Sequence, residues 1–361
     1  MRPQPHTDQF GLICVMNTDV AVKPVGVAQA GTGNGAGIMG LPSRAEVVRP
    51  EVPFVDVMGG AARVQIKCLD HGFVALLDAM PRLVPEGSTA DSAIVQAARV
   101  SYGQGTKHVN EDRGLIRYLL RHRHTTPFEM VEFKFHIAMP IFIARQWIRH
   151  RTANVNEYSA RYSILPDRFY RPSLEQVRKQ SKNNRQGGEE TFSVGSTSGA
   201  SESLPAPDSE ARTAQEFLEY LDRAEALYQD YLRLTDAGVS RELARTGLPV
   251  NVYTEWYWKC DLHNILRFLS LRMDAHAQLE IREFATAMHD LIASIVPLTM
   301  EAWRDYELEA MHLTRLEIEA IALAQRAGKG GVVGPINTTN KREQAEWEAK
   351  SVRLGLRTAG Q

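Results

Sequence analysis

The segment VEFKFHIAMP (131–140) begins with a strict alternation of apolar and polar residues. Successive side chains of an extended chain point to opposite sides, so this alternation places the apolar members on one face. These members are Val131, Phe133, Phe135 and Ile137. The pattern predicts a half-buried strand, and the fold of the chain has to cover its apolar face.

Most of the remaining body shows the apolar spacing of helices. The predicted helices cover 91–103, 113–124, 141–151, 211–236, 240–248, 262–273, 277–297 and 298–327, and Asp91 is the N-cap candidate of the first. Strand character recurs at 64–72, whereas the aromatic run NVYTEWYWKC (251–260) is compatible with either element. The fold class is therefore α+β, with more helix than strand.

Three segments differ from this body in composition. Residues 1–60 are rich in Gly, Ala, Val and Pro and predict a low-complexity N-terminal extension. Residues 176–212, rich in Gly, Ser and Glu, predict a flexible insertion, and 326–361 a C-terminal tail, which leaves a single domain at 61–325. The GTGNGAG pattern at 31–37 resembles a dinucleotide-binding fingerprint, but no apolar strand precedes it and no periodic helix follows it.

The overall charge and the cysteines exclude several classes of protein. Lysine plus arginine (42) nearly equals aspartate plus glutamate (43), so no global field attracts nucleic acid or an anionic membrane. The longest apolar runs fall short of the ~20 residues of a membrane helix. Cys14, Cys68 and Cys260 are widely separated and predict neither disulfides nor a thiolate metal site, which favours a reducing, cytoplasmic location.

Positive charge concentrates locally in ARQWIRHRTANVNEYSARYS (144–163). If 141–151 is helical, an arginine near its C-terminal end is stabilised by the helix dipole, by about 0.3–1 kcal/mol. That effect explains one arginine, but not a cluster that brackets a loop with Glu157 and Ser159. Guanidinium forks and serine hydroxyls together suit phosphate, so the stretch predicts a phosphate pocket. The alternative is a solvated basic turn.

Other polar residues also admit a functional and a structural interpretation. Arg272 lies within an apolar helical pattern and needs an anionic or carbonyl partner, which could also be a purely structural Glu or Asp. His122 and His124 lack further ligands at metal spacing, so no metal site is expected. Cys68 and Cys260 lack a neighbouring base, so no cysteine nucleophile is evident. The aromatic run at 251–260 indicates core and subunit interface rather than a base-stacking platform.

The stretch RHRTANVNEYSAR (149–161) resembles the signature of the flavin-dependent thymidylate synthases. Arg149, His150, Arg151, Ser159 and Arg161 match that signature, and Asn154 stands where it has its first serine. The similarity spans about 64–173 and 213–305 and includes HTTPFEMVEFKFHIAMPIFIARQW, ELARTGLPVNVYTEWYW and FLSLRMDAHAQLEI.

The resemblance implies a mixed helical and antiparallel-sheet body that methylates dUMP to dTMP. Methylenetetrahydrofolate gives the carbon, FAD reduced by NADPH gives the hydride, and sites form where subunits of a homotetramer meet. The implied dUMP contacts are Gln146, Arg149, Glu157, Tyr158, Ser159, Ala160, Arg161, Arg245 and Arg272. The implied FAD contacts are Thr126, Arg149, His150, Arg151, Glu157, Asp261, His263 and Arg267, with His124 near flavin and folate.

Arg272 is the implied catalytic residue, because a guanidinium can stabilise the ionised N3/O2 edge of the pyrimidine while reduced flavin delivers hydride. The alternative is a non-catalytic nucleotide or RNA binder that uses the same basic loop. Such a protein would carry basic patches along a face, which the neutral total charge disfavours. A flavin spectrum in the purified protein separates the two hypotheses.

Overall fold

The computed structural model describes residues 53–100, 112–181, 187–193, 209–328 and 331–358. The glycine pattern at 31–37, Cys14 and the end of the predicted helix at 101–103 lie outside these residues. All elements described below belong to one compact unit, Glu51–Gln361.

A five-stranded antiparallel sheet organises the described residues. The strands are β1 Phe54–Asp56, β2 Val64–Cys68, β3 Gly72–Met80, β4 Leu83–Pro85, β5 Glu132–Pro140, β6 Asn154–Glu157, β7 Arg178–Gln180, β8 Gly188–Thr191, β9 Tyr253–Asp261, β10 Val332–Val333 and β11 Arg357–Thr358. The main sheet has the order β2-β3-β5-β9-β6. The predicted strand is confirmed as β5, and the ambiguous aromatic run is β9, which pairs with β5 along its full length.

Alternation along both central strands directs the apolar side chains to one face. Phe133, Phe135 and Ile137 of β5 are buried there. Trp256 and Trp258 of β9 are buried on the same side, and the intervening Tyr257 is exposed. Burying each such side chain contributes roughly 1.5–3 kcal/mol. The core role expected for the aromatic run is thus confirmed.

The helices cover this apolar face and its edges. They are α1 Asp91–Val100, α2 Asp112–Arg121, α3 Ile141–Trp147, α4 Glu210–Asp236, α5 Arg241–Ala244, α6 Leu262–Arg272, α7 Leu279–Ala293, α8 Pro297–Trp303, α9 Arg315–Arg326 and α10 Lys341–Arg353. Phe268 of α6 stacks on Trp147 of α3, with ring centroids 4.5 Å apart. In the described part of the chain, no helix is both long and apolar enough to cross a membrane.

Two predicted helices differ from the structure. The helix predicted at 141–151 ends at Trp147, after which the amide of Arg149 donates to the carbonyl of Gln146 in a tighter turn. The long helix predicted at 298–327 is divided, because Thr314 and Glu317 form a capping box that starts α9 independently of α8. Apolar periodicity continues across both sites and cannot reveal the breaks.

Parts of the predicted insertion and tail form secondary structure and pack against other elements. β7 pairs with β8, and Val177 packs on Ala214 of α4. In the tail, Trp347 is buried against α9, and its indole N–H donates to the carbonyl of Gly334 at 3.0 Å. Residues 182–186, 194–208, 329–330 and 359–361 of these segments lie outside the described part.

Candidate active site

A basic cavity of 270 Å³ lies where the chain leaves α3 and passes α6. Asp261 caps the N-terminus of α6 by accepting the amide hydrogen of Asn264 at 2.9 Å. Because α6 begins after this residue, its Arg267 and Arg272 lie on the side of the helix that faces the Arg-His-Arg triplet at 149–151. The basic residues that line the cavity are Arg149, His150, Arg151, Arg267 and Arg272.

A hydrogen bond between Arg272 and His150 determines the electrostatics of this cavity. Arg272 Nε donates to His150 Nε2 at 3.1 Å. A guanidinium cannot accept a hydrogen bond, so Nε2 of His150 carries no proton. Burial lowers the pKa of His150 to about 4, and the charges of Arg272 and Arg267 act in the same direction. Among the described residues, the hydrogen-bond partner of Arg272 is thus a neutral imidazole and not the structural Glu or Asp considered as the alternative.

Carboxylates of the described residues do not neutralise the guanidinium groups around this cavity. Within the described ranges, no carboxylate lies at ion-pair distance from any of the four arginines that line it. Burial also lowers the pKa of Arg272, because its charge is partly removed from water. A cavity lined by unpaired cations suits an anionic or electron-rich ligand.

An apolar cavity of 430 Å³ adjoins the basic one, and Arg267 and Leu271 line both. Its wall includes Phe128 and Trp303. His124 also lines it, beyond the end of α2 rather than on the helix as its spacing suggested. The two cavities together offer cations on one side and an apolar surface on the other.

The serine-containing loop forms a third cavity, of 340 Å³. Glu157, Tyr158, Ser159 and Ala160 line it together with Arg245, which begins a 3-10 turn after α5. Thr254 donates to a Glu157 carboxylate oxygen at 2.7 Å and orients it toward β9.

The two arginines near this loop, Arg161 and Arg245, form few interactions with the described residues. Arg161 pairs with Glu242 at 3.3 Å on the surface. Such an exposed pair contributes little and is easily exchanged. Arg245 has no ion pair with the described residues.

The implied dUMP contacts are divided between two places. Arg149 and Arg272 lie at the basic cavity, whereas Ser159 and Arg245 lie at the loop cavity. β6 lies between them, and this four-residue strand, Asn154–Glu157, rises about 13 Å at 3.3 Å per residue. Within the described residues, these implied contacts thus line two separate cavities.

Comparison with known proteins agrees with this residue pattern. The family described as "Thymidylate synthase complementing protein" matches residues 82–298. A flavin-dependent thymidylate synthase of Dictyostelium discoideum is 61% identical over 305 residues, which are 84% of this chain and 92% of the relative. The chain belongs to the flavin-dependent thymidylate synthase family. Its relative in Wolbachia pipientis wMel is 52% identical over 256 residues, or 71% of this chain and 81% of that one.

The chain is also similar to solved structures of a UMP/dUMP methylase. The UMP/dUMP methylase PolB from Streptomyces cacaoi, bound with 5-Br UMP, is 33% identical with a TM-score of 0.53. The match covers 67% of this chain and 97% of PolB. The form bound with 5-Br dUMP gives a TM-score of 0.54 at 32% identity, covering 67% and 98%.

The other residues implied by the family resemblance occupy varied positions. His263 lines the apolar cavity with Arg267, and Thr126 is exposed at the start of the 3-10 helix Thr126–Met130. The carboxylate of Asp261 is engaged by the side chain of Asn264 as well as its amide. Asn154, which replaces the first signature serine, is exposed at the start of β6.

Sequence reasoning missed one residue of this region, Gln278. Its side-chain oxygen accepts a hydrogen bond from the amide of Gln146, an implied dUMP contact. The segment DAHAQLEI carries part of the family resemblance, but no spacing rule indicates that residues 132 positions apart form a hydrogen bond. Only the packing of α7 against α3 reveals the contact.

The described cysteines are unsuited to nucleophilic catalysis. Burial raises the pKa of Cys68 to about 12, and burial also raises the pKa of Cys260. The Cys260 thiol donates to the carbonyl of Thr152 at 3.2 Å. Both thiols stay protonated near neutrality, which agrees with a family mechanism that does not use a thiolate. Among the described residues, no group of three or more His, Cys, Asp or Glu could hold a metal ion.

Proposed function

We propose that this chain methylates dUMP to dTMP at a site that several copies of the chain build together. Methylenetetrahydrofolate is the carbon donor, and FAD reduced by NADPH is the hydride source, as in the family to which the chain belongs. The observation that supports the assignment of roles most directly is the basic cavity with Arg272 held by neutral His150. We place the reaction in the cytoplasm, since both described cysteines are free thiols.

The residues around the two adjoining cavities fit FAD. Arg149, Arg151 and Arg267 would hold its diphosphate, because guanidinium groups without carboxylate partners bind phosphate oxygens well. The apolar cavity beside Phe128 and His124 suits an aromatic ring system. When bound, reduced FAD supplies the hydride that the methyl group requires.

The remaining implied contacts would bind and polarise dUMP. Ser159 and Arg245, which line the loop cavity, would hold its phosphate together with Arg161 of the same loop. Arg272 would face the N3/O2 edge of the pyrimidine and stabilise negative charge that develops on the ring. His150 positions Arg272 by accepting its Nε hydrogen.

Self-association as a homotetramer would unite the two groups of dUMP contacts. The phosphate loop of one copy would reach the basic cavity of another, because the two groups of contacts line separate cavities on either side of β6 within each chain. Exposed Tyr158 and Tyr162 next to this loop would then be covered by the neighbouring copy.

A mixing experiment tests the shared site. Arg272→Ala and Arg245→Ala are each expected to be nearly inactive, but co-assembled tetramers should regain activity. Random assembly at equal amounts leaves about a quarter of the sites with both native residues. The control mixes Arg272→Ala with His150→Ala, whose defects lie in the same cavity. Mixed tetramers that show no gain over the control, with mixing verified by native mass spectrometry, would place the site within one chain.

A further inference from the structure

The turn that ends α2 holds an arginine in a backbone conformation that favours glycine. The amide of His124 donates to the carbonyl of Leu119 at 2.9 Å, and the amide of Arg123 donates to the carbonyl of Leu120 at 3.1 Å. These two hydrogen bonds form a Schellman motif, in which the residue after the C-cap is usually glycine. Arg123 occupies that position with a φ of 57°, where a residue with a Cβ is strained. The arginine is therefore present at a cost in stability.

This turn forms one rim of the apolar cavity of 430 Å³ that adjoins the basic cavity. Arg123 and His124 line the cavity and are exposed, so they lie at its mouth. Arg123 and Arg267 contribute two guanidinium groups to the lining. Of the residues that the structure describes, Glu307 contributes the only carboxylate of this lining. The mouth of the cavity thus carries an excess of positive charge.

The arginines of α2 differ in their partners along the helix. Arg113, in the first turn, donates from its Nε to a carboxylate oxygen of Glu301 at 3.1 Å. Arg121, in the last turn, lies over the ring of Tyr306, 5.7 Å from its centroid. In the part of the chain that the structure describes, neither Arg121 nor Arg123 has a carboxylate within ion-pair distance. Two guanidinium groups therefore remain without an anionic partner at this end of α2.

A structural interpretation of these cations is that they only stabilise the C-terminal end of α2. The last carbonyl groups of a helix carry partial negative charge, which favours a cation in the last turn. Arg121 fits that role. The position of Arg123 does not need it, because glycine would form the same backbone hydrogen bonds without the strain. A ligand contact, by contrast, accounts for an arginine at this position.

We propose that Arg121 and Arg123 bind the glutamyl carboxylates of methylenetetrahydrofolate at the mouth of the apolar cavity. This inference rests on the proposed function, which supplies a folate. The tail of a folate ends in glutamate, and γ-linked forms carry one further carboxylate for each added glutamate. Separate guanidinium groups suit such a flexible chain, because each forms its own charge-assisted hydrogen bonds. The p-aminobenzoyl spacer keeps these carboxylates away from the reacting ring, so the role is binding and no bond changes at the rim.

The binding of two folates to FAD-loaded enzyme saturated with dUMP tests the site. Folic acid carries one glutamate and pteroyltriglutamate carries three, so calorimetry with both isolates the effect of the added carboxylates. Arg123→Gly removes a guanidinium and relieves the strained turn, and Arg121→Gln removes the second cation. Arg113→Gln is the matched control, because it removes the same charge from the other end of α2, outside the lining of the cavity. Melting temperature and FAD content verify folding.

The native enzyme and the control should bind pteroyltriglutamate about tenfold more tightly than folic acid, and each test variant should reduce this preference to about threefold or less. Arg123→Gly should do so while its melting temperature rises, because glycine is not strained in this turn. A purely structural role of Arg123 predicts the higher melting temperature with an unchanged preference for the triglutamate.

Three results of these measurements have distinct meanings. Equal binding of the two folates by the native enzyme, or an unchanged preference in folded Arg123→Gly, overturns the proposal. A loss of NADP⁺ binding in Arg123→Gly, with folate binding unchanged, also overturns it and assigns the cation to the dinucleotide. Absence of dTMP formation by the native enzyme would instead overturn the proposed function, and calorimetry detects that case separately because it does not require turnover.

Discussion

At the scale of single residues, the contact between Arg272 and His150 explains how a cation is kept inside an apolar helical pattern. An aspartate or glutamate partner would cancel the charge, whereas the neutral imidazole of His150 orients the guanidinium and leaves its charge intact. Arg272 is therefore both positioned and available to a ligand.

Replacing Arg272 separates transition-state stabilisation from anchoring. Arg272→Lys should lower kcat by ~10²–10³, with a much smaller rise in the KM for dUMP, because lysine cannot keep the two-donor geometry. Arg161→Lys, at the phosphate loop, should mainly raise KM. Steady-state dTMP formation at matched FAD occupancy measures both. The reverse pattern would exchange the two roles.

The lowered pKa of His150 predicts a pH dependence of stability. Between its folded pKa of about 4 and its unfolded value of about 6.5, the unfolded chain binds a proton that the native protein does not. The contribution of His150 to the free energy of unfolding is thus fully present above about pH 6.5 and is lost as the pH falls toward 4. Solvent screens part of the effect, which leaves about 1–2 kcal/mol.

Denaturant unfolding at pH 7 and pH 5 measures this dependence. His150→Gln retains an acceptor for Arg272 but does not titrate, so the variant should lose less stability on acidification than the native protein does. Equal losses in the two proteins would show that His150 does not contribute.

At the scale of elements, β6 and α6 position the site. All four residues of β6 are exposed, and the strand pairs with β9 at the edge of the sheet. Its extended backbone holds the phosphate loop away from the Arg-His-Arg triplet. α6 begins at a capped turn and carries Arg267 and Arg272 to the basic cavity.

The cap of α6 gives a prediction at this scale. Asp261→Ala should lower the free energy of unfolding by about 0.5–2 kcal/mol, while Asp261→Asn should stay close to the native protein because asparagine also caps helices. Thermal or denaturant unfolding checks the stability, and the flavin spectrum checks FAD occupancy. Full stability but lost FAD in Asp261→Asn would support the implied FAD contact at this residue instead.

At the scale of the whole molecule, part of the predicted insertion packs against the body. Arg178 of the insertion forms a partly buried ion pair with Glu280, and Val177 packs on α4. These contacts join part of the predicted insertion to the body. The polar composition of 194–208 gives no reason to expect a similar contribution there.

Deleting 194–208, with a short glycine-serine bridge, should leave FAD content and turnover within about twofold of the native enzyme. Deleting 176–193 is the contrasting variant, because it leaves the buried carboxylate of Glu280 without Arg178, at a cost of roughly 3–5 kcal/mol. Melting temperature and dTMP formation measure both. A loss of folding in the first deletion would assign 194–208 a structural role.

The sequence by itself determined one central strand, most of the helices and the family. Alternation predicted β5, periodicity predicted most helices, and the ordered match around Arg149–Arg161 identified the reaction, because these signals depend on neighbours along the chain. Tertiary structure alone decided that the aromatic run is a strand paired with β5, that His150 rather than a carboxylate holds Arg272, and that the dUMP contacts lie in separate cavities. These are contacts between distant segments, and their free energies depend on burial and geometry that no local pattern encodes.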